Sequence, residues 1–227
     1  MMSDSQIPVV STHADLRLPV DPEHGLLRLA VMLTFVFAGI GSFVLLNVIF
    51  VQVPFINLLS IGGAIVIAML STRGVENGLK RYWPSGRYFE IAGNALRLGA
   101  GDRITREIDG AQHVNVFTWR FVINKRTRVP KGWYVVALAM MQDDLYLPLY
   151  TFMSPEDFDK LTLSEHFSAL APSKDTEKSD LRLAGQQRRL RTAEYARWNE
   201  GAELSKADFE TALAALQHRF PAWMISA

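Results

Sequence analysis

LAVMLTFVFAGIGSFVLLNVIFVQVPFINLLSIGGAIVIAMLS, residues 29–71, runs 43 residues without one Asp, Glu, Lys or Arg. Crossing the hydrocarbon core of a bilayer takes roughly 20 apolar residues of helix, and this run is about twice that length. Gln52-Val53-Pro54 creases it near the middle. The limbs Leu29–Val51 and Pro54–Ser71 are each long enough to cross. Pro54 suits the first turn of a helix, where its missing N–H leaves nothing unpaired. The run therefore predicts two antiparallel membrane helices joined by a very short turn, a hairpin over residues 26–72. A buried helical hairpin of a soluble protein is the competing reading, but so long an uncharged run is seldom built into a soluble core.

Outside the hairpin the composition is that of an ordinary globular protein. All 24 positive and 23 negative charges fall in the remaining residues, so there is no basic excess of the kind that marks nucleic-acid binders. The chain has no cysteine, which excludes disulfides, cysteine–zinc sites and thiol nucleophiles and is compatible with a reducing compartment. Near the N-terminus Asp4, Asp15, Asp21 and Glu23 mix with Arg17 and Arg28. The apolar run is also too long for the core of a cleaved signal peptide, so the hairpin is expected to stay in the mature protein. The turn has no Lys or Arg; Arg28 precedes the hairpin, and Arg73, Lys80, Arg81 and Arg87 follow it. By the positive-inside tendency both termini face the cytoplasm, in a multi-pass protein of the cell's inner (plasma) membrane. Tyr82, Trp83 and Tyr88 sit among those cations, as aromatic residues do at the membrane interface.

Residues 1–25, with Pro8, Ser11 and Pro19, read as an arm with weak structure. Within the hairpin, small residues recur at helical spacing: Ala38 and Ser42 in the first limb, Ser60, Ala64 and Ala68 in the second. Such faces allow close helix contact in lipid, between the two helices or onto another membrane subunit. From residue 85 the pattern changes to short β-rich runs. Candidate strands are Tyr88–Ile91, Ala95–Leu98, Arg103–Ile108, Val114–Ile123, Trp133–Met141 and Leu145–Phe152, with turns at Gly93-Asn94, Gly99–Asp102 and Gln142–Asp144. This predicts a small antiparallel β barrel or sandwich. Ser154-Pro155-Glu156-Asp157 is a helix start, and the apolar residues from Phe158 to Leu170 predict a helix that closes a β domain over 85–170. Residues 171–180 read as a charged linker. A helical C-terminal extension over 181–227 follows, with helices at Leu181–Trp198 and Lys206–Arg219. The apolar Pro-Ala-Trp-Met-Ile tail is expected to dock.

A membrane hairpin followed at once by a β domain and a helix resembles bacterial proteins with pleckstrin-homology-like (PH-like) domains, the YcxB-like group in particular. The resemblance lies in Phe89-Glu90-Ile91 with Ala95-Leu96-Arg97-Leu98 as an opening hairpin. It continues in Tyr134–Leu138, Leu145-Tyr146-Leu147-Pro148 and Phe152–Phe158 as the late strands and the start of a closing helix. It covers about residues 27–168. It implies a fold, and neither an enzyme nor a fixed ligand.

No catalytic constellation is visible. His13, His24, His113, His166 and His218 are scattered, without partners at zinc-ligand spacing. His166 adjoins Glu165, but sequence neighbours on a helix point to different faces. Gly99-x-Gly101 lacks the third glycine and the following helix of a dinucleotide loop. No metal or cofactor is expected. The lipid-binding candidates are Lys125, Arg126, Arg128 and Lys131, clustered between two strands. Such cations interact with an anionic membrane surface by about 1 kcal/mol each; a solvated hairpin tip is the plainer alternative. Arg188, Arg189 and Arg191, with Leu183, Leu190 and Trp198, form a second basic patch that lies on lipid or on a partner, or packs on its own domain. The interface set is Arg73, Lys80, Arg81, Tyr82, Trp83 and Arg87. The function expected is a non-catalytic accessory or scaffold component of a membrane assembly, binding membrane lipids and a membrane protein partner or a second copy of itself. The rival is a subunit of a membrane enzyme or transporter whose active site forms with another chain.

Overall fold

The computed structural model describes residues 15–21, 25–49, 56–124, 129–172 and 181–223. The chain divides into two compact units, Pro19–Arg87 and Met1–Leu18 with Tyr88–Ala227. Its first described element is a strand, β1 (Leu16–Pro19), within the segment expected to be an arm with weak structure. Leu18 and Val20 are buried, and the Arg17 guanidinium lies 3.6 Å from the centre of the Tyr88 ring. Four residues of LRLP carry too little pattern to announce a strand; what fixes them is the neighbouring strand.

The hairpin unit is built of α1 (Gly25–Ile49) and α2 (Ile56–Tyr82). The crease at Gln52-Val53-Pro54 lies outside the described residues. A Cβ at Gly39 would lie 3.7 Å from Ala68 Cβ, and one at Gly63 would lie 3.0 Å from Leu46 Cδ1. Those two contacts set the antiparallel register. Ser60, Ala64 and Ala68 are buried, while Ala38 and Ser42 are half-buried. Polar side chains in α1 bond within the helix: Thr34 Oγ1 donates to Ala30 O at 2.9 Å and Asn47 Nδ2 to Phe43 O at 2.8 Å. The second helix does not stop at Ser71 but continues to Tyr82. Lys80 and Glu76 pair at 3.0 Å one turn apart, the kind of contact that sustains a polar helix end.

The larger unit holds two sheets. β1 is the edge of the first, followed in order by β2 (Arg87–Ala92), β3 (Ala95–Ala100) and β4 (Arg103–Asp109). Gly93 turns the β2–β3 hairpin at a positive φ of 56°, which only glycine adopts without strain. The second sheet has β5 (Asn115–Val122), β6 (Tyr134–Gln142) and β7 (Leu145–Met153) as an antiparallel core. Strands β2 to β7 lie within two residues of the ends the sequence predicts. Among the described residues the strands form two separate sheets rather than a closed barrel. Where β4 meets β6, the Gln142 side-chain amide brackets the Asp109 backbone, accepting from its N–H and donating to its C=O at 3.0 Å each. Nearby, Arg106 Nη1 donates to Tyr146 O at 2.7 Å. Side-chain hydrogen bonds thus link the two sheets at this point.

The closing helix also differs from expectation. α3 (Pro155–Asp159) is a single turn, with Ser154 Oγ accepting from Asp157 N–H at 3.1 Å. Leu161, Leu163 and Phe167 are all buried, at spacings no single helical face accommodates. The chain instead makes a short 3-10 turn and pairs β8 (Ser168–Ala169) in parallel with β5. Thr118 Oγ1 donates to His166 O at 2.6 Å, and Leu170 N–H donates to Arg120 O at 2.8 Å.

Residues 173–180 of the expected linker are outside the described residues. The C-terminal helices are not a separate extension; they complete the larger unit. α4 (Leu181–Glu200) sets Leu190 and Ala193 into a core with Trp119, Ile123, Val135, Ala137 and Ala139. β9 (Ala202–Glu203) then pairs in parallel with β7, so the second sheet reads β8-β5-β6-β7-β9 with both edges occupied. α5 (Lys206–Arg219) begins at a Ser205 N-cap and buries Phe209, Ala212, Leu213 and Leu216. In the apolar tail Trp223 stacks on Phe220, with ring centres 4.0 Å apart.

Candidate functional site

The feature most open to function is the outer surface of the hairpin. Phe37, Ile40, Leu45 and Val48 of α1 and Leu58, Leu59, Val66 and Leu70 of α2 are exposed. The two helices are long and apolar enough to cross a membrane, and only 6 % and 17 % of their apolar windows are buried. A helix in the core of a soluble domain is mostly buried, whereas these two are mostly exposed.

The interface residues gather on the second helix. By its helical period, Arg73 lies on the opposite side of α2 from Ser60, Ala64 and Ala68. Arg73 and Lys80 are exposed, and so are Tyr82 and Trp83. The Arg81 side chain is outside the described residues. Arg87 is drawn away from the set, because its guanidinium pairs with Asp21. The register from Gly39 opposite Ala68 and Leu46 opposite Gly63 puts Lys80 at the height of Arg28. It puts Arg73 beside Phe35, about 10 Å further along the hairpin at 1.5 Å per residue. The sequence shows the charges but not this offset, which depends on how the two helices are paired.

Of the lipid-binding candidates, Lys125, Arg126 and Arg128 lie outside the described residues. Lys131 is exposed, next to Gly132 at a φ of 92°. The feet of that loop are tied: Ile123 N–H donates to Trp133 O at 2.7 Å and Gly132 N–H to Ile123 O at 3.0 Å. These two bonds extend the β5–β6 pairing by one step beyond Val122 and Tyr134. The second basic patch divides. Leu190 turns inward, whereas Leu183 and Trp198 are exposed, as are Arg188 and Arg189.

Two polar arrangements were not legible in the sequence. Glu194 accepts from Trp119 Nε1 at 2.8 Å, from Arg197 Nε at 2.8 Å and from Arg197 Nη2 at 2.6 Å. Arg197 is buried and its guanidinium lies 4.6 Å from the Tyr150 ring centre. Glu194 and Arg197 stand three apart on α4, a spacing that signals a helix pair, but nothing local points to Trp119. The other is a cleft of about 350 Å³ lined by Lys160, Leu161, Thr162, Leu163, Lys206, Glu210, Leu213, Ala214 and Gln217. Lys206 Nζ donates to Asp157 Oδ1 at 2.6 Å. That bond, with a second from Ser154, holds the Asp157 carboxyl below its usual range, and Asp157 in turn raises Lys206. Both groups are committed to each other, so the cleft offers a mixed polar and apolar wall rather than a poised acid or base. Among the described residues no group of three or more His, Asp or Glu is arranged to hold a metal ion.

Comparison of the chain with protein-family profiles, with curated proteins and with solved structures gives no match.

Proposed function

We propose that this chain is an integral membrane protein that works by binding, as an accessory or scaffold component of a membrane assembly. The observation that carries the proposal is the hairpin surface: apolar side chains point outward from Leu26 to Ile49 on α1 and from Leu58 to Leu70 on α2. The charge-free turn and the cations at the open end favour a cytoplasmic larger unit and cytoplasmic termini in the inner membrane. That unit is PH-like in this reading. Support comes from the succession of two sheets, with the β5–β6–β7 core antiparallel and a helix lying across it. Its partners are a membrane protein, a second copy of the chain, or anionic lipid.

One observation favours the rival, a subunit whose active site forms with another chain. Arg73 sits about 10 Å deeper than Arg28 along the hairpin, and ionisable groups at membrane depth commonly face a partner or a water-filled path. Extraction of the native protein in mild detergent followed by native mass spectrometry tests the main reading. A stoichiometric membrane partner, a homo-oligomer or bound anionic lipid is expected. A bare monomer without lipid, or turnover of a substrate by the isolated chain, would overturn it.

A further inference from the structure

Arg120 on β5 is a half-buried arginine without an anion. Arg87, Arg97, Arg106 and Arg197 each hold a carboxylate, of Asp21, Glu107, Glu200 and Glu194 in turn. Arg120 makes no ion pair among the described residues. Its guanidinium instead lies 4.8 Å from the centre of the Tyr134 ring and 4.8 Å from that of Phe158. Nε is sealed from water and has no hydrogen-bond partner among the described residues. The side chain as a whole is half-buried, so its Nη edge reaches the surface. Asp157, beside Phe158 in sequence, is already held by Lys206 and Ser154.

The surroundings of Arg120 are well anchored. Phe158 is buried and packs edge-on against Tyr134 at 5.5 Å and Phe167 at 6.0 Å between ring centres. The register pairs Val122 with Tyr134 and Arg120 with Val136. Opposite and alternate residues share a side of the sheet, which puts Arg120, Val122 and Tyr134 on the side away from α4. Val122 is 47 % exposed there. A cation without an acceptor is thus presented beside an exposed apolar side chain and a tyrosine ring.

We propose that Arg120 anchors a binding site for a small apolar carboxylate. The two rings offset part of the desolvation of the guanidinium, but they supply no acceptor for the N–H groups that radiate in its plane. Paired N–H donors match the two oxygens of a carboxylate, with geometry a lysine lacks. The charge selects the occupant. One guanidinium cancels a monoanion, whereas a phosphate dianion would keep a charge in excess. The apolar body of the ligand covers Val122 and the edge of Tyr134, removing apolar surface from water. Because the rings already hold the guanidinium, binding forfeits little side-chain freedom. The site lies within the larger unit and gives it a small-molecule ligand, whatever the hairpin assembles with.

The test uses fluorobenzoate as the probe, followed by fluorine NMR with the full-length chain in an uncharged detergent and empty micelles as the blank. Saturable broadening is expected, reversed by benzoate and untouched by benzamide, its neutral counterpart. Arg120→Gln should weaken binding about tenfold or more, the scale of hydrogen bonds to a charged group. Arg120→Lys keeps the charge without the fork and should fall between the two. Val122→Glu leaves Arg120 in place and adds a carboxylate two residues along the same side of β5. It should block the probe and raise the unfolding temperature, as a resident anion would. That variant changes an exposed position, so it reads the site even where Arg120→Gln fails to fold. Broadening that survives Val122→Glu, that benzamide reverses equally, or that empty micelles reproduce, overturns the proposal. Inorganic phosphate that displaces the probe better than benzoate does overturns the carboxylate assignment.

Discussion

Trp119 on β5 donates its indole N–H to Glu194 on α4 across 2.8 Å, although 75 residues separate them in sequence. The same carboxylate takes two bonds from Arg197. A buried donor that loses its acceptor keeps its desolvation cost, and a buried cation that loses its partner costs more. Glu194→Ala should therefore destabilise the larger unit by about 3 kcal/mol or more, on the scale of broken buried ion pairs. Trp119→Phe removes one neutral donor and should cost about 1–2 kcal/mol, part of it in lost packing. Denaturant unfolding in detergent followed by far-UV circular dichroism measures both.

Tyr88 and Gly99 make a second, steric relationship. A Cβ at Gly99 would fall 2.4 Å from Tyr88 Cζ, so the ring lies directly over a glycine on the neighbouring strand. Gly99→Val should cost about 1–3 kcal/mol through overpacking. If the ring is the obstacle, Tyr88→Ala should recover part of that loss when combined with it. A double-mutant cycle with no coupling would show that the strand needs glycine for some other reason.

The Asp157–Lys206 contact ties α3 to α5 and gives stability a pH dependence. The Lys206 hydrogen bond first, then Ser154, lowers the carboxyl below its ordinary 3.8. Its contribution is present above that value and is lost as pH falls through the lowered one. Lys206 is raised above 10.5 by Asp157, so its contribution is present below 10.5 and is lost as pH rises through the higher value. Thermal unfolding of wild type and Lys206→Met should differ by a constant amount between about pH 5 and pH 9 and converge toward either extreme. The difference is small, because the pair is solvent-exposed.

The offset between Arg28 and Arg73 predicts opposite effects of charge at two heights of α2. Val66→Arg places a cation amid outward apolar residues and should oppose insertion by about 2.5–3.5 kcal/mol. Arg73→Leu should favour insertion, by less, since a long arginine stem lets its head reach toward the interface. The fraction of newly made chain that resists carbonate extraction from membranes reads both. Equal fractions for wild type and Val66→Arg would place that face of α2 out of lipid.

Much of the architecture is written locally. The Gly93-Asn94 turn and the Ser205 cap each fix an element within a few residues, and the charge-free run announces two apolar helices, of which the second continues past it to Tyr82. What the sequence hides is held by distant partners. β1, β8 and β9 are two to four residues long, too short to show a period, and exist because a neighbouring strand offers hydrogen bonds. The predicted closing helix fails for the same reason: pairing of Ser168 and Ala169 with Trp119 and Arg120 outcompetes a second helical turn. α4 reads as a polar helix because part of its buried face is Glu194 and Arg197, a pair whose burial depends on Trp119 and Tyr150. Of the candidate site, the hairpin surface and its cations are legible, whereas the height of Arg73 needs the register of the two helices.

The membrane hairpin is the central claim, and impermeant labelling of single cysteines in sealed vesicles tests it most directly. The chain supplies a cysteine-free background, so Phe37→Cys, Val66→Cys and Lys131→Cys can each be read alone. The account predicts no aqueous labelling at 37 or 66 on either side of the membrane, and labelling at 131 in inside-out but not right-side-out vesicles. Ready labelling at 37 and 66 in intact vesicles would contradict it and return the hairpin to water.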